Sequence, residues 1–468
     1  MAWMIDAVRR WSMLVCAMLL LAGPMQQAAA QEGVEVIGGS FAVDGQVWKI
    51  ATPQPLSKWN GTLLVDLDAA PAITSNAPLV QWLVAHGYAY GGINREKVTY
   101  RYDVGAERLV MVREEFIRHY GIHPMRTIAR GYSRGSNVAR HAMQLYPAIF
   151  DGGVFSMGAG AGLMSTMLQR VDSQFVLKTL VNPASPLKII NVAANKQSIA
   201  TEEAAIEALV KLADSTPLGR ARLALAAAVS QTGPWLVKDS PEPAPRDWEA
   251  QYKQIPPMYA DIQGVGIAAG ATEIAGHNIL WNNGVDYRYE LTHSGRQEFV
   301  KAMYGKLGAN GLKSLDEDLR TLAKAPRISA DPEAVRFAEK FLSYTGKVAG
   351  PVFALNNTGD TNYPPSREVA YARVLKHAGN SALHSTAFVS SAGHGNINPL
   401  EMIVSVAILV DRLDTGKWHY TTAAEQAALA RKIKSETKIE LPEARFIAYR
   451  PDAPLRTWDV RNHGSYRP

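Results

Sequence analysis

Short apolar runs alternate with amphipathic stretches in the part of the chain before residue 158. The runs favour strands, and the stretches carry apolar positions every three or four residues, which is typical of helices. Strands that alternate with helices in this way predict a mostly parallel sheet with helices on both faces. We expect strands at 34–50, 61–67, 88–94, 126–130 and 152–157, and helices at 79–86, 105–120 and 136–145.

The alternation stops at about residue 158 and returns at about residue 349. The interval holds helical and irregular segments, among them an alanine-rich helix expected at 201–229. The pattern then resumes, with strands expected at 351–355 and 383–389 and helices at 367–377, 401–413 and 423–434. The sequence therefore predicts an α/β core in two parts, a large helical cap inserted between them and an extension at the end, with bounds of 31–158, 159–348, 349–414 and 415–468. The alternative is that 159–348 forms an independent second domain.

The first thirty residues have the pattern of a secretory signal peptide. Arg9 and Arg10 precede a short apolar run, and the small residues at 28–30 suit a signal peptidase. The run is too short to span a membrane comfortably, and Gly23-Pro24 interrupts it. We expect export to the periplasm or the medium, cleavage before Gln31 and no stable membrane insertion afterwards.

Composition and the absence of certain motifs argue against several classes of function. The chain has 468 residues, 47% of them hydrophobic, and a formal charge of +6 that is scattered without a Lys/Arg block, so a nucleic-acid partner is not expected. Its one cysteine, Cys16, lies in the predicted signal peptide, so the exported protein would contain no disulfide and no thiolate nucleophile. No H-E-x-x-H motif and no Walker loop occur, and we expect neither a metal nor another cofactor.

The segment at 131–135 reads GYSRG and lies between a predicted strand and a predicted helix. A bare G-x-S-x-G arises by chance, but strand, sharp turn and helix together are the setting of a nucleophile elbow. The glycines suit that turn because side chains at their positions would collide with neighbouring backbone. The sequence therefore predicts Ser133 as a nucleophile.

A serine nucleophile needs a base and an acid that orients the base. Asp360 follows the strand expected at 351–355, and His394 follows the next strand between two glycines. The chain order Ser, Asp, His and the placement after parallel strands are those of α/β-hydrolases. A Gly-Asp pair is also a common turn, and a histidine among glycines is also common at surfaces. His141, on the elbow helix, is expected to pack in the core.

The oxyanion hole is expected to use the amide of Arg134 and a second amide from the loop after an early strand. That loop places Asp68, Ala69 and Ala70 as candidates, and Ala69 is our choice among the three. Two roles remain open for the Arg134 side chain: contact with a substrate carboxylate, or a surface ion pair.

The run at 59–158, with the elbow and the YPAIFDG at 146–152, resembles the α/β-hydrolase superfamily. It is similar in particular to secreted esterases of the tannase, feruloyl esterase and polyester-depolymerase groups, and the Gly393-His394-Gly395 loop resembles the end of such domains. The resemblance implies an α/β-hydrolase fold and hydrolysis of carboxylic esters through Ser133, Asp360 and His394. Tannase-type enzymes carry cysteines beside the catalytic serine and histidine, whereas this chain has Tyr132 and Gly395 there.

Two other functions remain open at this point. A serine peptidase or amidase would use the same three residues, and a degenerate hydrolase fold would only bind its ligand. The expected partner is a small or oligomeric ester, which the sequence does not name. Cap aromatics such as Trp235 and Trp281 are candidates for the choice of acyl group, although such residues are commonly the cap's own core.

Overall fold

The computed structural model describes residues 33–457, and a nine-stranded sheet runs through this part of the chain. The spatial order is β1-β2-β4-β3-β5-β6-β7-β8-β9, and the strands from β3 to β8 run parallel. The outer strands β1, β2 and β9 pair antiparallel. Their bounds are β1 Val34–Ser40, β2 Val47–Pro53, β3 Thr62–Asp66, β4 Ala89–Ile93, β5 Arg126–Tyr132, β6 Gly152–Ser156, β7 Val352–Gly359, β8 His384–Ala392 and β9 Phe446–Ile447.

The strand expected at 34–50 is instead a hairpin of β1 and β2. The amide of Phe41 donates to the carbonyl of Gln46 at 3.0 Å, and the amide of Gly45 donates to the carbonyl of Phe41 at 2.7 Å. Gly45 has a φ of 69°, a conformation in which glycine carries no steric penalty. The polar turn, rather than the apolar pattern on either side of it, decides where the first strand ends.

Within residues 33–457, four helices precede β6 and three follow β7: α1 Ala69–Thr74, α2 Pro78–Ala85, α3 Tyr102–Tyr120, α4 Arg134–Leu145, then α15 Ser366–His377, α16 Pro399–Thr415 and α17 Ala423–Glu436. Ten lie between β6 and β7: α5 Leu163–Val181, α6 Lys196–Asp214, α7 Pro217–Val229, α8 Trp248–Lys253, α9 Tyr259–Gln263, α10 Val265–Ala275, α11 Tyr287–His293, α12 Gln297–Gly305, α13 Gly311–Lys324 and α14 Pro332–Phe341. Short 3₁₀ turns occur at Leu56–Lys58, Gly308–Asn310 and Ser381–Leu383.

The two faces of the sheet are covered by different helices. Helices α3, α4 and α15 pack on one face, and α2, α16 and α17 pack on the other. A mostly parallel sheet between two helical layers, with the long insertion after β6, confirms the predicted α/β-hydrolase fold.

The helix expected at 201–229 is two helices, α6 and α7. Thr216 separates them, and its side chain accepts a hydrogen bond from the amide of Gly219 as an N-cap. Pro217 occupies the first turn of α7, where its missing N–H is not needed. The Ser-Thr-Pro sequence therefore stops one helix and starts the next inside a continuous alanine-rich pattern.

Helix α5 is shared between the core and the inserted helices. Leu163, Met164 and Met167 pack with the core cluster of the sheet, whereas Val176 and Leu177 pack in a second cluster formed with α6, α7, α12 and α13. Nearly every residue of α5 is buried, so the helix has no solvent-facing side. The inserted helices thus have a core of their own that is joined to the sheet by a common helix.

The last described residues of the C-terminal extension contact the inserted helices. The side chain of Gln231 donates to the carbonyl of Ala453 at 2.8 Å and accepts from the amide of Leu455 at 3.1 Å. Arg456 and Asp172 form an ion pair at 2.9 Å in which both side chains are fully buried. The last described residues therefore fasten α5 to the rest of the fold.

Arg456→Met should lower the free energy of unfolding by about 3–5 kcal/mol, because the Asp172 carboxylate would stay buried without its partner. Burial already raises the pKa of Asp172 to about 6, against the opposing effect of Arg456. Urea unfolding of the variant and of Arg456→Met combined with Asp172→Leu measures the effect. The double variant should be the more stable of the two, and a single variant as stable as the parent would contradict this account.

His141 should make the protein less stable in mild acid. Burial lowers its pKa to about 4, so the unfolded chain takes up a proton below about pH 6.5 while the folded chain remains neutral. The free energy of unfolding is then at its full value above pH 6.5 and falls as the pH drops towards 4. The loss expected at pH 5 is about 2 kcal/mol. Urea unfolding at pH 7 and pH 5 should show a smaller loss for His141→Phe than for the parent, and equal losses would contradict it.

Residues 1–32, with the predicted signal peptide and Cys16, lie outside the described part of the chain, as do residues 458–468. Within 33–457 no helix is both long and apolar enough to cross a membrane.

Candidate active site

Ser133 lies on a sharp turn between β5 and α4. Its φ of 54° and ψ of −119° place it in a region that non-glycine residues rarely adopt. The amide of Ser133 donates to the carbonyl of Ser156 at the end of β6, at 2.8 Å. Such a strained residue persists only where its surroundings hold it, and strain of this kind concentrates at functional sites.

The two glycines of the motif are needed to different degrees. A Cβ on Gly131 would lie 2.0 Å from the carbonyl oxygen of Gly135, so the strand and the helix approach too closely for any side chain. A Cβ on Gly135 would lie 3.3 Å from the Cβ of Leu67, a tight contact that small shifts can relieve. The collision expected from the sequence is therefore severe at the first glycine and mild at the second.

The structure brings the three predicted residues together. Ser133 Oγ lies 2.8 Å from His394 Nε2, and His394 Nδ1 lies 3.0 Å and 3.2 Å from the two carboxylate oxygens of Asp360. The Asp360 side chain is fully buried, and that of His394 is 18% exposed. The imidazole thus connects a half-buried hydroxyl to a carboxylate that water does not reach.

Asp360 is fixed by the backbone that follows it. Its Oδ1 accepts hydrogen bonds from the amides of Asn362 at 2.8 Å and Tyr363 at 2.9 Å. The pairing of β7 with β8 shifts register between Asn357 and Gly359, just before the carboxylate. Irregularities of this kind re-aim side chains at the ends of strands.

The acid loop and the base loop are bonded to each other. The side-chain amide of Asn357 donates to the carbonyls of Ser391 at 2.9 Å and Gly393 at 3.0 Å. The amide of Gly393 donates to the carbonyl of Gly359 at 2.9 Å, and the amide of His394 donates to Thr361 Oγ1 at 3.2 Å. These bonds fix the distance between Asp360 and His394, and nothing in the sequence pattern singled out Asn357.

The structure distinguishes among the three candidates for the second amide of the oxyanion hole. The amide of Asp68 donates to Asp66 Oδ1 at 3.1 Å, so that donor is already used. Ala69 and Ala70 begin α1, and the first amides of a helix have no partner within the helix. Arg134 begins α4 in the same way. A Cβ on Gly135 would lie 3.4 Å from Asp66 Oδ1, so the two turns adjoin.

A buried polar group lies below these turns. Asp66 accepts hydrogen bonds from Arg130 and, at 3.0 Å, from the hydroxyl of Tyr90. Asp66 and Arg130 are both buried, Asp66 as the last residue of β3 and Arg130 two residues before the end of β5. Because Asp66 also accepts from Asp68, this group links β5 to the start of α1.

Two tyrosines that the sequence analysis did not assign to the site contact its residues. The ring of Tyr363 stands edge-on to the His394 imidazole, with 5.5 Å between centroids. A Cβ on Gly395 would lie 2.9 Å from the hydroxyl of Tyr132, so the two positions that hold cysteines in tannase-type enzymes are adjacent here. The position of Tyr363, three residues after the predicted acid, is the one signal that the sequence contains for it.

The segment inserted between β6 and β7 reaches the acid and base loops, through the loop between α7 and α8 and through α5. A Cβ on Gly359 would lie 2.3 Å from the carbonyl oxygen of Trp235, and a Cβ on Gly393 would lie 3.1 Å from the Cβ of Lys238. The guanidinium of Arg170, on α5, donates to the carbonyl of Asn362 at 2.7 Å. Trp281, in contrast, is fully buried in the core and does not line the site. In residues 33–457 no three metal-ligating side chains cluster.

Gly131→Ala should prevent the strand and the helix from closing around Ser133, lowering stability by at least about 1–3 kcal/mol and with it the yield of folded protein. Gly135→Ala is the matched control, because its new methyl group would come no closer to any neighbour than 3.3 Å, the distance to the Cβ of Leu67. Thermal unfolding of both variants measures the difference, and equal melting temperatures would contradict the packing described above.

Comparisons with known proteins show what the chain is similar to. Residues 45–235 match the sequence model of a tannase-like family of unknown function. An o-phthalyl amidase from Xanthobacter agilis is 29% identical over 451 residues, covering 89% of this chain and 93% of the relative.

Solved structures with a similar course of the chain include two esterases from Aspergillus oryzae. One has 14% identity and a TM-score of 0.41, covering 83% of this chain and 81% of that one. The other, a feruloyl esterase B, has 13% identity and a TM-score of 0.36, covering 82% and 80%. The family match and the amidase relative support a hydrolase of the esterase or amidase type. By its own sheet topology the chain has an α/β-hydrolase fold, and its residues 45–235 match the model of the tannase-like family.

Proposed function

We propose that this chain is a serine hydrolase that cleaves carboxylic esters through an acyl-enzyme intermediate. Ser133 is the nucleophile, His394 the general base and Asp360 the acid that orients the imidazole. The observation that carries the proposal is the continuous contact from Ser133 Oγ to His394 Nε2 at 2.8 Å and from His394 Nδ1 to Asp360 at 3.0 Å.

The first half of the reaction forms the acyl-enzyme. His394 takes the proton of Ser133 as the oxygen attacks the carbonyl carbon of the ester. The negative charge that forms on the carbonyl oxygen is stabilised by the amides of Arg134 and Ala69, which begin two adjoining helices. His394 then gives the proton to the leaving alcohol, and the bond between acyl carbon and alcohol oxygen breaks.

The second half releases the acid. Water replaces the alcohol, His394 takes a proton from it, and the resulting hydroxide attacks the acyl carbon. Ser133 leaves with the proton that His394 returns to it. Asp360 keeps its charge throughout and stabilises the imidazolium that forms twice per turnover, a task for which its two backbone amide bonds hold it in place.

Ser133→Ala should lower ester turnover by several orders of magnitude, because the three residues act as a unit. His394→Ala should have a similar effect, and Asp360→Asn should lower kcat by about 10⁴-fold through the wrong tautomer of the imidazole. A panel of esters gives the rates, a fluorophosphonate probe followed by mass spectrometry identifies the modified residue, and thermal unfolding shows that each variant is folded.

Ser75→Ala is the control, because Ser75 is an exposed serine at the end of α1. It should keep the parent's rates and its labelling. Parent-like turnover in Ser133→Ala would overturn the assignment of the nucleophile. Absence of both turnover and labelling in the parent would favour a hydrolase fold that only binds its ligand.

Amide hydrolysis is the second candidate function. The o-phthalyl amidase that is 29% identical over most of both chains favours it. Ester and amide substrates with the same acyl group, compared by kcat/KM on the parent, discriminate the two. We expect the esters to be cleaved faster, and a preference for amides would change the bond cleaved while keeping the same nucleophile.

We further propose that the helices between β6 and β7 form a cap that selects substrates without taking part in the chemistry. Their contacts with Gly359, Gly393 and Asn362 support this placement beside the proposed site. Loops that surround a site on a rigid scaffold commonly set specificity. Export with cleavage before Gln31 is likewise a proposal, supported by the N-terminal pattern alone.

A further inference from the structure

One cation beside the proposed nucleophile has no acidic partner. Arg134 is partly exposed, and its guanidinium lies over the ring of Tyr100 at 4.9 Å from the centroid. Its one side-chain hydrogen bond goes to the carbonyl of Val98, at 3.2 Å. No carboxylate among the described residues lies within ion-pair distance of Arg134, so the surface ion pair that the sequence left open is absent there.

Arg95 and Arg130, two other arginines near Tyr132, show the contrast. The Arg95 guanidinium donates to both carboxylate oxygens of Asp68, at 2.7 Å and 2.5 Å, so a bidentate partner neutralises its charge. Arg130 is paired with Asp66. Of these three arginines, Arg134 is the one without an ion pair in residues 33–457.

Two further buried arginines lie near this group, Arg170 beside Tyr363 and Tyr100 and Arg367 near Arg170. Neither forms an ion pair with a carboxylate in residues 33–457. Asp261 and Asp360 act on Arg170 at longer range, and Glu290 acts on Arg367, so carboxylates partly offset both buried charges. The partly exposed Arg134 is therefore the arginine of this group that is placed to meet an anionic substrate.

The same side is aromatic. Tyr363 stands against the His394 imidazole, and Tyr100 lies beneath the Arg134 guanidinium. Flat apolar surface next to the reacting atoms suits an aromatic ring, and a guanidinium at the edge of that surface suits a planar carboxylate.

We propose that Arg134 binds a carboxylate on the acyl group of the substrate, so that the preferred substrates are monoesters or monoamides of aromatic dicarboxylic acids. The inference rests on the proposed function, because it assumes that the acyl group is bonded to Ser133. It assigns the Arg134 side chain a role in specificity that is separate from the role of its backbone amide.

Two substrates that differ by one carboxylate test the proposal. Monomethyl phthalate and methyl benzoate are compared by kcat/KM on the parent, Arg134→Gln, Arg134→Lys and Arg95→Gln. The parent should prefer the anionic ester, and Arg134→Gln should lower the ratio of anionic to neutral kcat/KM by about tenfold or more. Arg134→Lys should keep part of the preference, since it keeps the charge without the fork.

Arg95→Gln is the control, because it also removes one positive charge, but from an arginine that Asp68 already binds. Since this variant leaves Asp68 without its partner, we expect its ratio to fall somewhat, and by clearly less than that of Arg134→Gln. Product inhibition of the parent gives a second measurement that needs no variant. Phthalate should inhibit the hydrolysis of methyl benzoate at a lower concentration than benzoate does. Added salt should reduce the difference between the two inhibitors.

The outcomes separate this inference from the proposed function. If the parent cleaves methyl benzoate and shows no preference for the anionic ester, the carboxylate site is overturned and the proposed hydrolase is not. The same holds if the preference survives in Arg134→Gln. An equal drop of the ratio in Arg95→Gln also overturns it. A parent that cleaves neither ester nor the matching amides and is not labelled at Ser133 overturns both.

Discussion

The close approach of β5 to the start of α4 is the constraint on which the proposed site depends. Backbone atoms of Gly131 and Gly135 nearly touch, which leaves no room for a Cβ on the first glycine. That approach forces Ser133 into a positive φ, and the bond from its amide to Ser156 holds the residue there. Packing on both sides maintains this strained conformation, which places the Ser133 hydroxyl at the end of the sheet.

Hydrogen bonds, rather than packing, set the other half of the geometry. Asn357 holds the base loop against the acid strand, and the amides after Asp360 fix its carboxylate. Asp66 performs the corresponding task for the turn that carries Ala69. All of these polar groups are buried, where an unmade bond is costly, so the loops have little freedom to move apart.

The inserted helices are coupled to this arrangement through α5. Its first turns pack in the core, its last turns pack in the second cluster, and Arg170 between them bonds to the acid loop. Arg456, near the end of the described chain, also binds α5 through its ion pair with Asp172. The inserted helices and the described part of the extension, which the sequence pattern separates, therefore form one connected support for the proposed site.

The sequence by itself determined the fold class, the turn at 131–135 and the order in which Ser133, Asp360 and His394 follow their strands, because these depend on local periodicity and on glycine sterics. It did not determine the hairpin at 41–46, the break at Thr216 or the hydrogen bond that already uses the amide of Asp68. Those features depend on which hydrogen-bond partner a residue meets. The partners of Asn357 and the lack of an acidic partner for Arg134 are decided only when distant segments pack together, since no local pattern records which charges and carbonyls become neighbours.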